Sequence, residues 1–153
     1  MLTNPPKKEP GASLRSDAGL ASALRVSLAR LNRRLRRQSA VGALTPTQLA
    51  VLAAVERHSA ITPGELAELE KMQPPSMTRV VAVLDQRGLI TRTPHPTDRR
   101  QVSLGVTEQG SALLKEERRR KEAWLTQRLK ELTPEERSVL RAAAPILEKL
   151  SRI

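Results

Sequence analysis

The sequence predicts a mainly α-helical chain with one small β-hairpin, and three observations carry that expectation. Apolar residues recur every three or four positions along most of the chain, as the buried stripe of an amphipathic helix requires. The period drops to two only between Leu89 and Val106, where Val102, Leu104 and Val106 alternate with Gln101, Ser103 and Gly105. Threonine-proline pairs followed by Gln or Glu, at Thr45-Pro46-Thr47-Gln48, Thr62-Pro63-Gly64-Glu65 and Thr133-Pro134-Glu135-Glu136, have the form of capping boxes with proline at the first helical position.

Residues 1–16 are rich in proline, lysine and small polar residues and are expected to be a flexible tail. A long first helix follows from Asp17 to about Ser39, with Leu20, Leu24, Leu28, Leu31 and Leu35 on one stripe. The spacing of that stripe resembles a coiled-coil seam, so a second subunit can cover part of it. The other face carries Arg30, Arg33, Arg34, Arg36 and Arg37, a pattern that suits either phosphate contact or a solvated surface. The Thr45 box starts a second helix with Leu49, Leu52 and Val55 inward and His58 at its end. The Thr62 box starts a short third helix that carries Leu66 and Leu69 and ends near Glu70-Lys71.

The fourth helix begins at Gln73, where Pro74 and Pro75 are tolerated because first-turn N–H groups have no intrahelical partner. Met77, Val80, Val81 and Leu84 form its buried face, Ser76, Thr78 and Arg79 lie opposite, and Gly88 is placed to stop it in a left-handed conformation. Strands are expected over Leu89–Thr93 and Val102–Val106, joined by a loop from Pro94 to Arg100 that ends in Asp98, Arg99 and Arg100. Two short helices and a basic-tipped hairpin make a helix-turn-helix followed by a wing, an arrangement suited to reading duplex DNA.

Thr107 caps a fifth helix with Leu113 and Leu114 near its start and Trp124, Leu125 and Leu129 towards its end. Between them stand eight successive charged residues, Lys115 to Glu122, which are expected to leave no buried face and to bridge two packed bodies. The last helix starts at the Thr133 box, carries Leu140, Ala143, Leu147 and Leu150 on one stripe, and contains Pro145, which is expected to kink it. The predicted organisation is a DNA-binding lobe over residues 45–107 and a helical dimerisation region over residues 17–44 and 108–153. A two-fold homodimer would cover the surplus leucine stripes.

Composition narrows the function. Lys and Arg number 27 against 16 acids in 153 residues, a formal charge of +11, which favours a polyanionic partner. Nucleic acid is the first such partner and an anionic membrane surface the second. No run approaches the roughly 20 apolar residues of a membrane span, and Met1 to Ser13 has no signal-like stretch, so no membrane partner and a cytoplasmic, nucleoid-associated location are expected. With no cysteine, disulfides, thiolate metal sites and thiol redox switches are excluded. His58 and His95 are far apart and neither has a helical histidine partner, so neither a metal site nor a cofactor is expected. The residues offer no nucleophile elbow and no phosphate-cradling glycine loop, so no enzyme is expected either. Base stacking on single strands or RNA needs aromatic platforms, and the chain has one Trp and no Phe or Tyr. Double-stranded DNA is what remains.

Three features together resemble the MarR family of bacterial transcription regulators: the helix SMTRVVAVLDQRGLI from Ser76, the D-x-R of Asp98 and Arg100, and the T-x-x-G of Thr107 and Gly110. The resemblance spans Thr45 to Gly110 by motif and the rest by helix layout, with Gly105 and Val106 departing from the family's larger strand residue and leucine. It implies a winged helix-turn-helix regulator that binds a pseudo-palindrome as a homodimer, commonly a repressor released by a small-molecule effector. Carried over to this chain, Gln73, Pro75, Ser76, Thr78 and Arg79 belong to the recognition helix. Asp98, Arg99 and Arg100 form the wing, Asp98 orienting Arg100 towards the minor groove by a charge-assisted bond while Arg99 touches backbone phosphate. The alternative reading is an architectural, weakly sequence-specific DNA-coating protein, which the arginine-rich first helix also suits.

Overall fold

The computed structural model describes residues 14–39, 44–58, 60–98 and 100–152. Most of the expected N-terminal tail, the segment 40–43 and Arg99 lie outside the described residues. The chain divides into two compact units, Met1–Gln38 and Ser39–Ile153.

The first unit is built on helix α1, Asp17–Arg36. The Ser16 hydroxyl caps it by accepting from the Gly19 N–H at 3.2 Å, and Asp17 sits in its first turn where the helix dipole favours an acid. None of its residues is buried in the single chain: Leu20, Leu28 and Leu31 stand 44%, 46% and 39% exposed.

The second unit contains α2 (Pro46–Arg57), α3 (Pro63–Leu69), α4 (Pro74–Gln86), β1 (Ile90–Pro94), β2 (Val102–Val106), α5 (Glu108–Lys130) and α6 (Pro134–Arg152). This is the mainly helical winged helix-turn-helix arrangement that the sequence predicts. The capping boxes at Thr45 and Thr62 are both reciprocal, threonine hydroxyl to the third helical N–H and Gln or Glu back to the threonine N–H. Thr133 and Glu136 make the same exchange at the start of α6 (2.9 and 3.2 Å), which then runs unbroken past Pro145.

Among the described residues the core contains no aromatic side chain. Val51, Leu52 and Val55 from α2, Leu66 from α3, Met77, Val81 and Leu84 from α4, and Leu89, Ile90, Leu104 and Leu114 are all buried. Leu69 is not; it stands 48% exposed.

Two helix ends fix the path into the wing. After α4 the Leu89 N–H donates to the Leu84 carbonyl (2.9 Å) and the Gly88 N–H to the Asp85 carbonyl (2.8 Å), with Gly88 at φ +67. That is a Schellman stop, for which glycine has no steric cost. The same pattern ends α3, Met72 N–H to Ala67 carbonyl (2.8 Å) and Lys71 N–H to Glu68 carbonyl (3.1 Å), but the left-handed residue is Lys71 at φ +51. A lysine there is strained, so Lys71→Gly is expected to raise stability by about 0.5 kcal/mol, after the greater freedom glycine gives the unfolded chain is subtracted. A rise in the denaturant midpoint at unchanged slope checks this.

The hairpin pairs Ile90 with Val106 through Pro94 with Val102. The first strand thus begins one residue later than expected and extends to include Pro94, while the second keeps its expected limits. On its other edge β2 meets Ile61 in a single bridge, the Leu104 N–H donating to the Ile61 carbonyl at 2.8 Å. Helix α5 is joined to this base. The Thr107 N–H donates to the Leu89 carbonyl (3.0 Å), and the Thr107 hydroxyl donates to the Gly88 carbonyl (2.7 Å) while accepting from the Gly110 N–H (3.0 Å).

The charged run of α5 does not lack a buried face. Glu117 is only 5% exposed, lying on the side that Gly110, Leu114, Lys121 and Trp124 share at helical spacing, with the Lys121 ammonium 3.9 Å away. Long charged side chains can bury their methylenes where a countercharge sits one turn along. Towards α2, Glu56 accepts from the Ser111 hydroxyl (2.8 Å) and from Arg118 (3.2 Å), and these contacts hold its carboxyl below the usual range, the Ser111 bond foremost. Further along, Trp124 is half-buried with the Arg128 guanidinium 5.8 Å from its ring centre.

Candidate nucleic-acid interface

Helix α4 starts at Gln73, which takes the cap position in an extended conformation without a side-chain cap bond, followed by Pro74 and Pro75 in the first turn. At 100° per residue, Pro75 and Arg79 lie opposite the buried Met77, Val81 and Leu84, with Ser76 and Thr78 flanking them. Gln73, Pro75, Ser76, Thr78 and Arg79 are all exposed. The Thr78 hydroxyl donates to the Pro74 carbonyl at 3.0 Å, so its hydrogen is engaged at the helix start and its oxygen keeps only acceptor capacity towards a ligand. The first turn contains no acid. An ion pair between Arg92 and Asp85 (2.8 Å) ties β1 to α4; both groups are about 40% exposed, so it contributes less to stability than to the relative setting of wing and helix.

The wing loop is organised by two side chains. Asp98 Oδ1 accepts from the Arg100 N–H (3.0 Å) and Asp98 Oδ2 from the Gln101 side-chain amide (3.1 Å), while the Gln101 N–H closes onto the Asp98 carbonyl (3.0 Å). The expected bond from Asp98 to the Arg100 guanidinium is replaced by this one. Two residues apart in a turn, an aspartate reaches the following backbone N–H more readily than an arginine head. Asp98 therefore sets where Arg100 leaves the backbone, and the guanidinium stays exposed with no ion pair among the described residues. On the other side of the loop, His95 Nδ1 accepts from the N–H groups of Thr97 (3.4 Å) and Asp98 (3.3 Å), which requires that nitrogen to be unprotonated.

The fold brings together residues that the sequence left apart. His58, Glu65 and His95, with Ala60, Ile61 and Leu69, line one open groove of about 470 Å³ beside the wing. The Thr62 N–H and then its hydroxyl hold the Glu65 carboxyl below the ordinary range. No group of three His, Cys, Asp or Glu side chains among the described residues is arranged to hold a metal ion. The two histidines are 37 positions apart, and only the return of the hairpin onto α3 shows that they are neighbours.

Comparison with known proteins agrees with this geometry. The MarR family model matches residues 44–102. An uncharacterised HTH-type transcriptional regulator of Mycobacterium bovis is 44% identical over 134 residues, 88% of this chain and 94% of the relative. The HTH-type transcriptional repressor MdtR of Bacillus subtilis is 34% identical over 71% of this chain and 68% of its own length. Among solved structures, apo wild-type MarR from E. coli superposes with a TM-score of 0.68 at 26% identity, covering 86% of this chain and 96% of that one. A protein from Pseudomonas aeruginosa PA01 superposes at 0.80 with 32% identity, covering 90% and 96%. With its winged helix-turn-helix and relatives that cover nearly its whole length, the chain belongs to the MarR family of DNA-binding transcriptional regulators.

Proposed function

We propose that this regulator is a sequence-specific repressor that binds a pseudo-palindromic operator as a homodimer and is released by a small reversible ligand. The observation that carries the reading is the solvent-facing start of α4 set beside a braced hairpin, which leaves Arg79 and Arg100 exposed on the two elements that enter DNA grooves in winged helices. The repressor name of MdtR, 34% identical, supports the sign of the regulation. The absence of cysteine favours a non-covalent ligand over thiol oxidation, so hydrogen peroxide at moderate dose is not expected to release DNA.

Genome-wide selection of DNA fragments by the purified protein tests this directly. One palindromic sequence recovered far above competitor supports it; uniform recovery with a steep salt dependence returns the architectural alternative. On the selected operator, Arg79→Ala is expected to cost about 1–3 kcal/mol and to relax preference at one position per half-site, as loss of a major-groove base contact does. Arg100→Ala is expected to erase a preference for A·T-rich flanks, because a narrow minor groove attracts an inserted arginine. Asp98→Ala should give a milder form of the same defect. Asp98→Asn should be close to wild type, since an amide oxygen accepts the same Arg100 N–H. Equal loss in the Asn and Ala variants would show that the negative charge, not the turn, is what matters.

A further inference from the structure

Helix α1 carries seven arginines together with its flanks, Arg15 to Arg37, and a single acid, Asp17. Four of them, Arg30, Arg33, Arg34 and Arg37, follow the i, i+3, i+4, i+7 spacing that places them on one face, and all four are exposed. The leucines Leu24, Leu28, Leu31 and Leu35 lie roughly 130° around the helix, so a partner that covers the leucines leaves the arginines outward.

The other long helices show what a merely solvated charged face looks like in this molecule. On α5, Glu116 binds Arg119 and Arg120 at 2.8 Å each and Arg128 meets Glu131 at 2.7 Å; on α6, Arg152 meets Glu148 at 2.7 Å. Acids stand one turn from those cations. Among the described residues, no arginine of α1 enters an ion pair. Like charges three and four residues apart destabilise a helix, and a polyanion laid along the stripe relieves that repulsion. The four side chains span roughly 10 Å of helix axis, and an equal length of duplex presents roughly six phosphates.

We propose that the Arg30, Arg33, Arg34 and Arg37 face of α1 is a second, sequence-independent binding surface for the phosphate backbone of duplex DNA outside the segment contacted by α4 and the wing. It rests on the proposed operator binding and extends it: the winged helix chooses the sequence, and α1 adds affinity that depends on fragment length and salt.

The test compares the selected operator trimmed to its two half-sites with the same operator lengthened by ten base pairs of mixed sequence on each side. Wild-type protein is expected to bind the longer duplex about tenfold more tightly at low salt, with a steeper slope of log affinity against log salt. Replacing the four arginines by glutamine, which keeps side-chain length and helix propensity, should abolish that gain and flatten the slope by about 3.6 per protomer, roughly 7 for the proposed homodimer if every arginine meets a phosphate, leaving the short duplex unaffected. The matching lysine variant should keep the gain, since a phosphate contact needs charge rather than a planar fork. A length-dependent gain that survives in the glutamine variant overturns the proposal, and so does a loss that lysine does not rescue. Tighter binding of wild-type protein to phosphatidylserine vesicles than to mixed-sequence duplex overturns it in favour of a membrane surface. If selection returns no preferred operator, the same comparison on short and long mixed-sequence duplexes still reads the stripe, so failure of operator recognition and failure of this surface are separate results.

Discussion

Gly110→Ala is expected to lower stability by about 3 kcal/mol, the upper range for overpacking a closed site. A Cβ at this position would overlap the Leu89 carbonyl oxygen and crowd the Val106 side chain. Neither can retreat easily. The Leu89 carbonyl accepts from the Thr107 N–H, and the Gly110 N–H is fixed on the Thr107 hydroxyl, so the first turn of α5 cannot slide away without breaking the cap. The requirement is for close approach rather than an unusual backbone angle, so serine should be as damaging as alanine. Chemical denaturation checks it. A loss under 1 kcal/mol would mean that helix and hairpin are less tightly joined than the contact implies.

The second large effect concerns assembly. Leu28→Glu and Leu147→Glu are each expected to convert the proposed homodimer to a monomer and to reduce affinity for the proposed operator by orders of magnitude, because a charge without a partner in a dry interface costs several kcal/mol. Leu28 stands 46% exposed and Leu147 is only partly covered in the single chain, as are their stripe neighbours Leu20, Leu140 and Leu150. The substitutions therefore remove little from the fold of one protomer. Light scattering should give the monomer mass while the far-ultraviolet helix signal is retained. A dimer mass for both variants at micromolar concentration would place the interface elsewhere.

Much of the fold was legible because its signals are local. Thr45, Thr62, Thr133 and Gly88 act through hydrogen bonds to residues three to five positions away, so the helix limits could be read from short stretches. The stripe of Met77, Val81 and Leu84 likewise declares its buried face by spacing alone. What could not be read depends on the third dimension. The burial of Glu117 is invisible to a pattern that counts every charge as exposed, and the shared groove of His58 and His95 exists only once the hairpin folds back. Lys71 gives no sign of its left-handed conformation, because the signal for that turn is normally a glycine. At the candidate site, exposure of the α4 start follows from the same stripe. The backbone target of Asp98 instead depends on the conformation of a proline-bearing loop, which residue types alone do not determine.

Trp124 has an optical consequence. With no Phe and no Tyr, the near-ultraviolet absorbance and the emission of the whole protein come from one indole on α5, half-buried beneath the Arg128 guanidinium. The α4 and wing surfaces are therefore spectroscopically dark. A titration with DNA that leaves the emission unchanged reports a rigid α5, and one that shifts or quenches it reports a rearrangement at the far end of that helix, with no contribution from the binding surface to subtract.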